Sequence, residues 1–318
     1  MNICVISFDF WQYDAHIVEA LKKRGINAHH INLGAYRHRN IAARAGNALS
    51  KIFLKKNLKK QQRQELILDQ LKVLGRQDQI LVINPEQIEK HIHLQVREYT
   101  DRYIAYLYDS LARNPAEHVL NLFDKVFSFD KSDCNTHNFE LITNYIYLPE
   151  QTCNGDAEFD LVYMASYDDR LNLLYKITNR LGTLGLTYFY VIVGKKTWKK
   201  EFFGKGNSNR KYTRKRIKHN DITDYYGKGK VLLDLVRNRQ DGLSFRIFEA
   251  MAIRKKVITN NRTILDYDLY NPNNILVLAE DLSNLTADFF NTDYEELPRE
   301  IYNKYTLETW VNTVFQLT

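Results

Sequence analysis

The stretch that decides the fold is Asp241–Asn261, DGLSFRIFEAMAIRKKVITNN. Gly242 supplies the backbone freedom that a tight loop needs. After it, apolar residues recur at helical spacing and cover most of the circumference, as in a buried helix: Leu243, Phe245, Ile247, Phe248, Ala250, Met251 and Ala252. The segments 231–236 and 256–259 have the composition of buried strands. The stretch therefore predicts a strand–loop–helix–strand unit of an α/β protein.

Two charged residues, Arg246 and Glu249, interrupt this helix, and their spacing makes them neighbours on its surface. A loop that leads into a helix N-terminus is a natural place to hold an anionic ligand. An arginine and a glutamate there are suited to a phosphate and a ribose hydroxyl. The alternative is an ordinary Arg–Glu pair on a packing helix, and spacing alone favours neither interpretation.

A chain of 318 residues with 44% hydrophobic content predicts two domains with packed interiors. The three cysteines, Cys4, Cys134 and Cys153, include no CxxC pair, which argues against a disulfide scaffold, a zinc ribbon and dithiol redox chemistry. We therefore expect a reducing, cytoplasmic location. The segment MNICVISFDF lacks the features of a signal peptide, and the apolar runs are too short to span a bilayer.

The net charge of +7 is concentrated in two segments. Lys51–Arg63 contains six basic residues and no acidic one, and Lys195–Lys218 contains eleven basic residues and one acid. Such segments favour phosphate in a nucleotide, a nucleic acid or a lipid headgroup. Because Lys51–Arg63 has amphipathic helical character, it predicts peripheral contact with an anionic membrane, on the inner face of the cytoplasmic membrane. A solvated helix face is the alternative.

The order of predicted elements describes two consecutive α/β halves, each with its own parallel sheet. The first half opens with a strand, a helix ended by Gly25 and a second strand, but no GxGxxG follows, which argues against a dinucleotide-dependent dehydrogenase. The polar segment Glu150–Ala157 is the predicted linker. We expect Rossmann-like domains over 1–152 and 153–300 and a C-terminal helix over 301–318 that packs back on the first domain. Other predicted elements include a short strand over 144–148 and a helix over 281–290.

Several acidic or basic side chains follow predicted strands of the first half, where α/β proteins usually bind ligands. If the chemistry needs a base to take a proton from a hydroxyl, the candidates are Asp14, His16, Asp109 and Asp130, and we favour Asp109 and Asp14. The alternative for each aspartate is a helix cap or a loop residue.

The block 231–276 resembles bacterial glycosyltransferases of the GT-B type that build lipopolysaccharide or capsule. The resemblance lies in the acid–Gly loop Asp241–Ser244, in Arg246, in the EAMA segment Glu249–Ala252 and in the strand Lys256–Asn260. In the N-terminal half, the segments 106–110 and 123–130 look like the acceptor-domain strands of these enzymes. The resemblance implies two Rossmann-like domains facing a cleft, with an acceptor-binding domain first and a nucleotide-sugar-binding domain second.

By this resemblance the chain is a hexosyltransferase-like enzyme that moves a sugar from a nucleotide-sugar to a glycan or lipid-linked glycan of the cell surface. The helix starting near Ser244 would face the donor diphosphate, Arg246 would neutralise phosphate and Glu249 would bind ribose hydroxyls. The full set of implied donor-binding residues is Ser166, Arg170, Asp241, Gly242, Leu243, Ser244, Arg246, Glu249 and Asn260.

Many retaining relatives have two glutamates with seven residues between them. Counted back from Glu249, the first of the pair is Asp241 here, which keeps the charge but is one methylene shorter. This favours retention without assigning it, and an inverting enzyme with a side-chain base stays open.

We expect no metal ion and no cofactor apart from the nucleotide-sugar substrate. Asp266-Tyr-Asp268 has the spacing of a metal-binding pair but lies where a turn is predicted, and His29, His30, His91 and His93 have no partner cluster in the sequence. Two other classes remain: a non-catalytic nucleotide- or sugar-binding protein, and a nucleic-acid-binding protein, which the ordered Asp–Arg–Glu element argues against.

Overall fold

The computed structural model describes residues 1–9, 11–35, 58–151, 157–194, 197, 209–215, 217 and 221–317. In them, buried strands alternate with helices, and the chain divides into a first unit, Met1–Thr143 with Leu307–Thr318, and a second unit, Asn144–Thr306. The second unit begins earlier than the predicted boundary at residue 152, because Asn144 donates to the Leu243 carbonyl (2.9 Å) and Glu150 pairs with Arg254 (3.1 Å). The predicted linker residues 152–156 lie outside the described part of the chain.

The first unit contains a parallel sheet with the strand order β2-β1-β3-β4-β5-β6. Strand β1 (Asn2–Ser7) has a continuous buried apolar run, Ile3–Ile6, which is typical of a parallel strand covered on both faces. The first helix ends two residues before Gly25, whose φ of 76° is the left-handed conformation typical of a glycine that follows a helix. The strands are β1 Asn2–Ser7, β2 Asn27–Asn32, β3 Gln77–Ile83, β4 Thr100–Leu107, β5 Lys125–Ser128 and β6 Glu140–Leu141. The helices are α1 Tyr13–Lys23, α2 Leu58–Leu74, α3 Lys90–Arg97, α4 Glu117–Leu120 and α5 Lys131–His137, with a 3-10 turn at Pro85–Gln87.

The C-terminal helix α10, Leu307–Phe315, packs in the first unit against α1. Its apolar face is buried, and the Trp310 ring meets the Tyr106 ring edge-on at 5.1 Å. Its last carbonyls accept hydrogen bonds from the sheet: Gln79 donates to Phe315 (2.9 Å) and Arg102 to Val314 (3.0 Å). These bonds satisfy carbonyl groups that a helix end leaves without partners.

The second unit has a parallel sheet with the order β12-β11-β10-β7-β8-β9. The strand order therefore reverses between β7 and β10, and doubly wound proteins bind ligands at the carboxyl end of such a reversal. Its strands are β7 Phe159–Ser166, β8 Tyr188–Val193, β9 Arg210–Thr213, β10 Gly229–Asp234, β11 Lys256–Thr259 and β12 Ile275–Val277. Its helices are α6 Leu171–Thr183, α7 Ile222–Gly227, α8 Phe245–Ala252 and α9 Arg299–Lys304, with 3-10 turns at Arg262–Asp266 and Asp288–Phe290.

The predicted helix over 281–290 is wrong, because this segment forms turns and a short 3-10 helix at its end. Side chains compete for its backbone: Asp281 accepts from the Ser283 amide (3.0 Å), and Asn284 accepts from the Ala279 amide (2.9 Å). Such local bonds favour turns over a helix. The predicted strand over 144–148 is reduced to one bridge, between Ile146 and Thr306. Inside the second basic segment, β9 adds a strand that the charge pattern did not predict.

The predicted membrane-contacting segment Lys51–Arg63 lies in part outside the described residues, which resume at Leu58. Where side chains are described, Lys60 pairs with Glu89 at 3.2 Å and the Arg63 guanidinium lies 5.4 Å from the centre of the Phe8 ring. Among the described residues, no helix has the length and apolar character needed to cross a bilayer.

Candidate active site

At the carboxyl end of β10, Asp234 connects three elements of the second unit. Its Oδ1 accepts from the Ser244 hydroxyl (2.7 Å) and from Arg246 Nη1 (3.0 Å), and its Oδ2 accepts from the Thr259 hydroxyl at the end of β11 (3.2 Å). The Asp234 side chain is 1% exposed. Ser244 also caps α8, because its Oγ accepts from the Arg246 amide (3.2 Å). Asp234 thus fixes the start of α8 at the edge of the sheet, beside the strand-order reversal.

Arg246 turns inward from the first turn of α8. Besides its bond to Asp234, it donates to the Met164 carbonyl near the end of β7, and its guanidinium lies 5.4 Å from the centre of the Tyr163 ring. Its Nε atom and the Tyr163 hydroxyl are buried without hydrogen-bond partners. The structure therefore gives Arg246 internal partners, and its role towards a donor phosphate stays a prediction.

Glu249 lies one turn further along α8 and is 2% exposed. Its Oε1 accepts from the Tyr147 hydroxyl (2.5 Å), and its Oε2 accepts from the Tyr226 hydroxyl (2.9 Å). Burial and the Glu249 carboxylate raise the pKa of Tyr226 well above its usual value, so Tyr226 remains a donor at neutral pH. Both carboxylate oxygens of Glu249 therefore have partners in the protein, and its bond to ribose stays a prediction.

The loop before α8 is held by the next strand end. Asn261 donates from its side chain to the carbonyls of Asp241 (3.1 Å) and Gly242 (3.2 Å), and Thr263 donates to the Asp241 carbonyl (2.6 Å). Leu243 is buried, and Asn260 accepts from the Val236 amide (2.8 Å). The predicted donor residues of this loop therefore lie along one edge of the sheet in a fixed arrangement.

Arg170 follows β7, two residues after Asp168, and forms a forked pair with the Asp168 carboxylate at 2.9 and 2.7 Å. It also donates to the Leu235 carbonyl (2.9 Å), which ties the loop after β7 to the loop after β10. Arg237 approaches Asp168 at 3.7 Å with its side chain 33% exposed. Ser166 ends β7 beside this group.

Sequence reasoning missed Asp168, Arg237 and Asp234 as members of this edge. The signal for Asp234 was a carboxylate inside the apolar run 231–236, because an acid at that position needs a partner.

In the first unit, Asp14 lies at the start of α1, the helix that follows β1. The strand order of this sheet reverses between β1 and β3. It is 2% exposed, and its Oδ2 is buried without a hydrogen-bond partner. Burial, together with the nearby Asp9 carboxylate, raises the pKa of Asp14 to about 7. A carboxyl group with a pKa near the working pH suits a general base.

Asp109 follows β4 and is half-buried. It accepts from the Asn114 side chain (3.2 Å) and lies 3.7 Å from Arg113 Nε. Burial, and then the charges of Asp14, Asp109, Asp9 and Glu86, raise the pKa of Tyr108 well above its usual value. Both predicted catalytic aspartates therefore lie near Tyr108, although Asp109 has basic and amide neighbours that Asp14 lacks.

Across the described ranges, His, Cys, Asp and Glu side chains form no group of three that would bind a metal ion. Asp268 of the Asp266-x-Asp268 pair accepts from Lys304 and Tyr305, both at 2.5 Å, in the predicted turn region. His93 is fully buried between the Tyr103 hydroxyl (2.6 Å) and the Pro85 carbonyl (3.0 Å), as a structural histidine.

Two parallel six-stranded sheets with flanking helices, and ligand-type residues at their carboxyl edges, define an α/β protein of the GT-B architecture. Residues 171–304, which make up most of the second unit, match the model of a family described as glycosyl transferase-like. The chain is accordingly an enzyme of the glycosyltransferase class. No curated protein sequence matches the chain.

Solved structures share the fold over the whole length at low identity. The lipopolysaccharide outer core galactosyltransferase WaaB is 10% identical, with 99% of each chain covered and a TM-score of 0.57. The catalytic domain of starch synthase IV from Arabidopsis thaliana, bound to ADP and acarbose, is 9% identical, with 99% and 97% covered and a TM-score of 0.60. The UDP-GlcNAc 2-epimerase of Methanocaldococcus jannaschii is 14% identical, with 100% of each chain covered and a TM-score of 0.55. Because an epimerase has the same fold, the fold alone does not identify a transferase. The assignment rests on the family match of residues 171–304.

Proposed function

We propose that the protein transfers a sugar from a nucleotide-sugar donor to a growing cell-surface glycan, and that the second unit binds the donor. The observation that carries this proposal is the start of α8, which Ser244 and Asp234 fix at the strand-order reversal within the family-matched segment. The N-terminus of α8 carries the positive end of the helix dipole, which favours an anion placed there, in addition to the cap that Ser244 Oγ gives to the Arg246 amide. The donor diphosphate occupies this position in the proposal.

The arginines after β7 and β10 complete the phosphate site. Arg170 and Arg237 converge on Asp168 and bring positive charge to the same edge as the helix N-terminus. Buried hydrogen bonds stabilise this edge of the sheet. Arg246 bonds Asp234, and Glu249 bonds Tyr147 and Tyr226. With arginines and a helix N-terminus facing the diphosphate, the reaction is metal-independent in this proposal. Several similar structures contain UDP or ADP, which supports a nucleoside diphosphate donor.

For the chemical step, Asp14 is the base that we propose, ahead of Asp109. The acceptor hydroxyl oxygen forms a bond to the anomeric carbon of the donor sugar while the bond to the diphosphate oxygen breaks. The nucleoside diphosphate leaves with the electron pair, and Asp14 takes the acceptor proton. This route inverts the anomeric centre, so NMR of the product distinguishes it from retention, which the Asp241 and Glu249 pair favours.

The acceptor proposed is a glycan or lipid-linked glycan such as lipopolysaccharide or capsule, at the inner face of the cytoplasmic membrane. The likeness to a lipopolysaccharide galactosyltransferase and the basic segment Lys51–Arg63 support this proposal. The protein should float with anionic vesicles, and replacement of Lys55, Lys56, Lys59 and Lys60 by Gln should abolish flotation. Flotation that persists in this variant would contradict the membrane part of the proposal.

Donor binding is tested by thermal shift with a panel of UDP-, GDP-, CMP- and ADP-sugars, followed by hydrolysis and transfer assays with the donor that binds. A nucleotide-sugar at one hundred times its Kd should stabilise the protein by about 2.7 kcal/mol. Arg237→Gln, at a partly exposed arginine of the site, should weaken binding, whereas Lys211→Gln on β9 should leave it unchanged. Stabilisation by oligonucleotides with steep salt dependence, and by no donor, would overturn the transferase proposal.

A further inference from the structure

We propose that Ser7 and His30 are positioning residues for Asp14, which they hold through a hydrogen-bonded relay, Asp14–Ser7–His30. The inference rests on the proposed role of Asp14 as base. The three side chains come from α1, β1 and β2, and they meet because Val5 and Ser7 pair in register with His30 and Asn32 across the two strands.

The relay consists of two consecutive hydrogen bonds. A hydrogen bond from the Ser7 side chain lowers the pKa of Asp14, and Ser7 Oγ lies 2.9 Å from His30 Nε2. Ser7 is 1% exposed, so water does not compete with either bond. With Asp14 ionised, Ser7 donates its proton to the carboxylate, and its oxygen then needs the N–H of His30 Nε2. With Asp14 protonated on its other carboxyl oxygen, Ser7 keeps the same partners, but its bond to the now neutral carboxyl group is weaker.

His30 orients Ser7 and does not store the proton. Burial, and then the positive charge of Lys22, lower the pKa of His30 to about 4, below that of Asp14. A proton taken by Asp14 therefore stays on the carboxyl group until it is released to solvent. The neutral imidazole, with its proton on Nε2, donates to Ser7 Oγ in this arrangement.

The loop between β1 and α1 presents Asp14 to this relay. Asp9 and Gln12 have left-handed φ values of 37° and 64°, which are costly for side-chain-bearing residues and are found at functional sites. A hydrogen bond offsets part of this conformational free energy, because Asp9 Oδ1 accepts from the Asp14 amide (3.0 Å). Gly34 is required beside the loop, since a Cβ there would lie 1.8 Å from the Phe8 carbonyl oxygen.

Polar and ionisable groups on the neighbouring elements act on Asp14. Asp9, before α1, raises its pKa by charge repulsion, and Ser7, on β1, lowers it by hydrogen bonding. Tyr108, after β4, is influenced by the charge of Asp14 and stays neutral at physiological pH. With Ser7 on one side, the second oxygen, Oδ2, is left without a partner in the protein. The relay therefore orients the carboxylate so that Oδ2 is the atom that accepts the proton.

The experiment compares pH profiles of kcat/KM for the wild type, Ser7→Ala and Ser7→Thr. Loss of the hydroxyl should lower kcat about tenfold or more with donor KM unchanged, as expected for a lost hydrogen bond to a charged group. It should also move the acidic limb up by about one pH unit, because a bond that favours the ionised form is gone. Ser7→Thr, which keeps the hydroxyl, should restore both.

For the second bond, His30→Phe should give the same changes in smaller measure, and His30→Gln, which keeps an N–H donor, should restore them. His29→Gln, on the neighbouring position of β2, is the matched control and should leave the profile unchanged. A purely structural role would lower activity in Ser7→Ala without moving the acidic limb, and that result would overturn the relay.

A direct readout separates this inference from the proposed function. Carboxyl carbon NMR of labelled aspartate, with Asp14→Asn to assign the signal, follows the pKa of Asp14 without any substrate. If no donor supports transfer, the proposed function fails, and an upward shift of the Asp14 pKa in Ser7→Ala still supports the relay. An unmoved Asp14 pKa would refute the relay even in an active enzyme.

Discussion

Arg246 and Asp234 place opposite charges inside the second unit, 3.0 Å apart. Taking two charges out of water is costly, and their attraction offsets this cost only with good geometry and further hydrogen bonds. Here Ser244, Thr259 and the Met164 carbonyl provide those bonds. The pair therefore tolerates the loss of either member badly, because the remaining charge would be buried alone.

Arg246→Ala should destabilise the protein by about 3–5 kcal/mol, since it leaves the Asp234 carboxylate buried without its counter-charge. Chemical denaturation measures this loss. The double variant Arg246→Met with Asp234→Asn should recover much of it. A variant that keeps its stability but loses donor affinity would instead show that Arg246 acts mainly on the ligand.

Asp14→Asn should change how stability depends on pH. The folded-state pKa of Asp14, about 7, lies above its unfolded value, so the folded protein binds a proton that the unfolded chain has lost from about pH 4 to about pH 7. In the wild type, the contribution of Asp14 to the free energy of unfolding is largest at low pH. It falls as pH rises to 7, by about 1.4 kcal/mol per unit of difference between the folded and unfolded pKa values. Denaturation between pH 4 and 8 should show a flatter curve for Asp14→Asn. Parallel curves would contradict the buried, raised carboxyl group.

Among the elements, those with long apolar patterns were predictable, and those decided by single hydrogen bonds were not. The buried strands and α8 followed from periodicity, and Gly25 marked the end of α1. The turns at 281–290 depend on Asp281 and Asn284, whose side chains capture backbone amides that a helix would have used.

For the site, spacing predicted that Arg246 and Glu249 are neighbours on one helix, but it did not predict their partners. Asp234 lies 12 residues before Arg246, and Tyr147 lies 102 residues before Glu249. No helical or strand period connects such positions, so only the folded chain reveals that these charges are satisfied internally.

Ser244→Ala removes the cap of α8 and its bond to Asp234, and should cost about 1–2 kcal/mol. The matched control is Asp130→Ala, which removes the cap of α5 in the first unit, where Asp130 accepts from the Asp133 amide (3.2 Å). Both variants should lower the melting temperature, but only Ser244→Ala should weaken nucleotide-sugar binding. Equal donor affinity in the two variants would remove α8 from the donor site.

At the scale of the whole molecule, the first unit is built from two separate segments, Met1–Thr143 and Leu307–Thr318, with the second unit between them in sequence. The returning helix α10 contributes Trp310, Val311, Val314 and Phe315 to the buried interior. The stability of the first unit therefore depends on residues that are distant in sequence.

Phe315→Ala should destabilise the first unit by about 3–5 kcal/mol, because Phe315 is fully buried. Hydrogen exchange should show lost protection in β1 and α1, while β7 and β10 keep theirs. Thr313→Ala, on the exposed side of the same helix, is the control and should change neither. Loss of protection spread evenly over both units would mean that they unfold together.

The return of α10 also sets the order in which the protein can be made. During synthesis, every residue of Asn144–Thr306 leaves the ribosome before Leu307, so the second unit can complete its core while the first still lacks its last helix. Until Leu307–Phe315 arrives, the α1 surface that it covers is open to water and to chaperones. We therefore expect nascent chains that stop short of Leu307 to resist protease in the second unit and to be cut in the first.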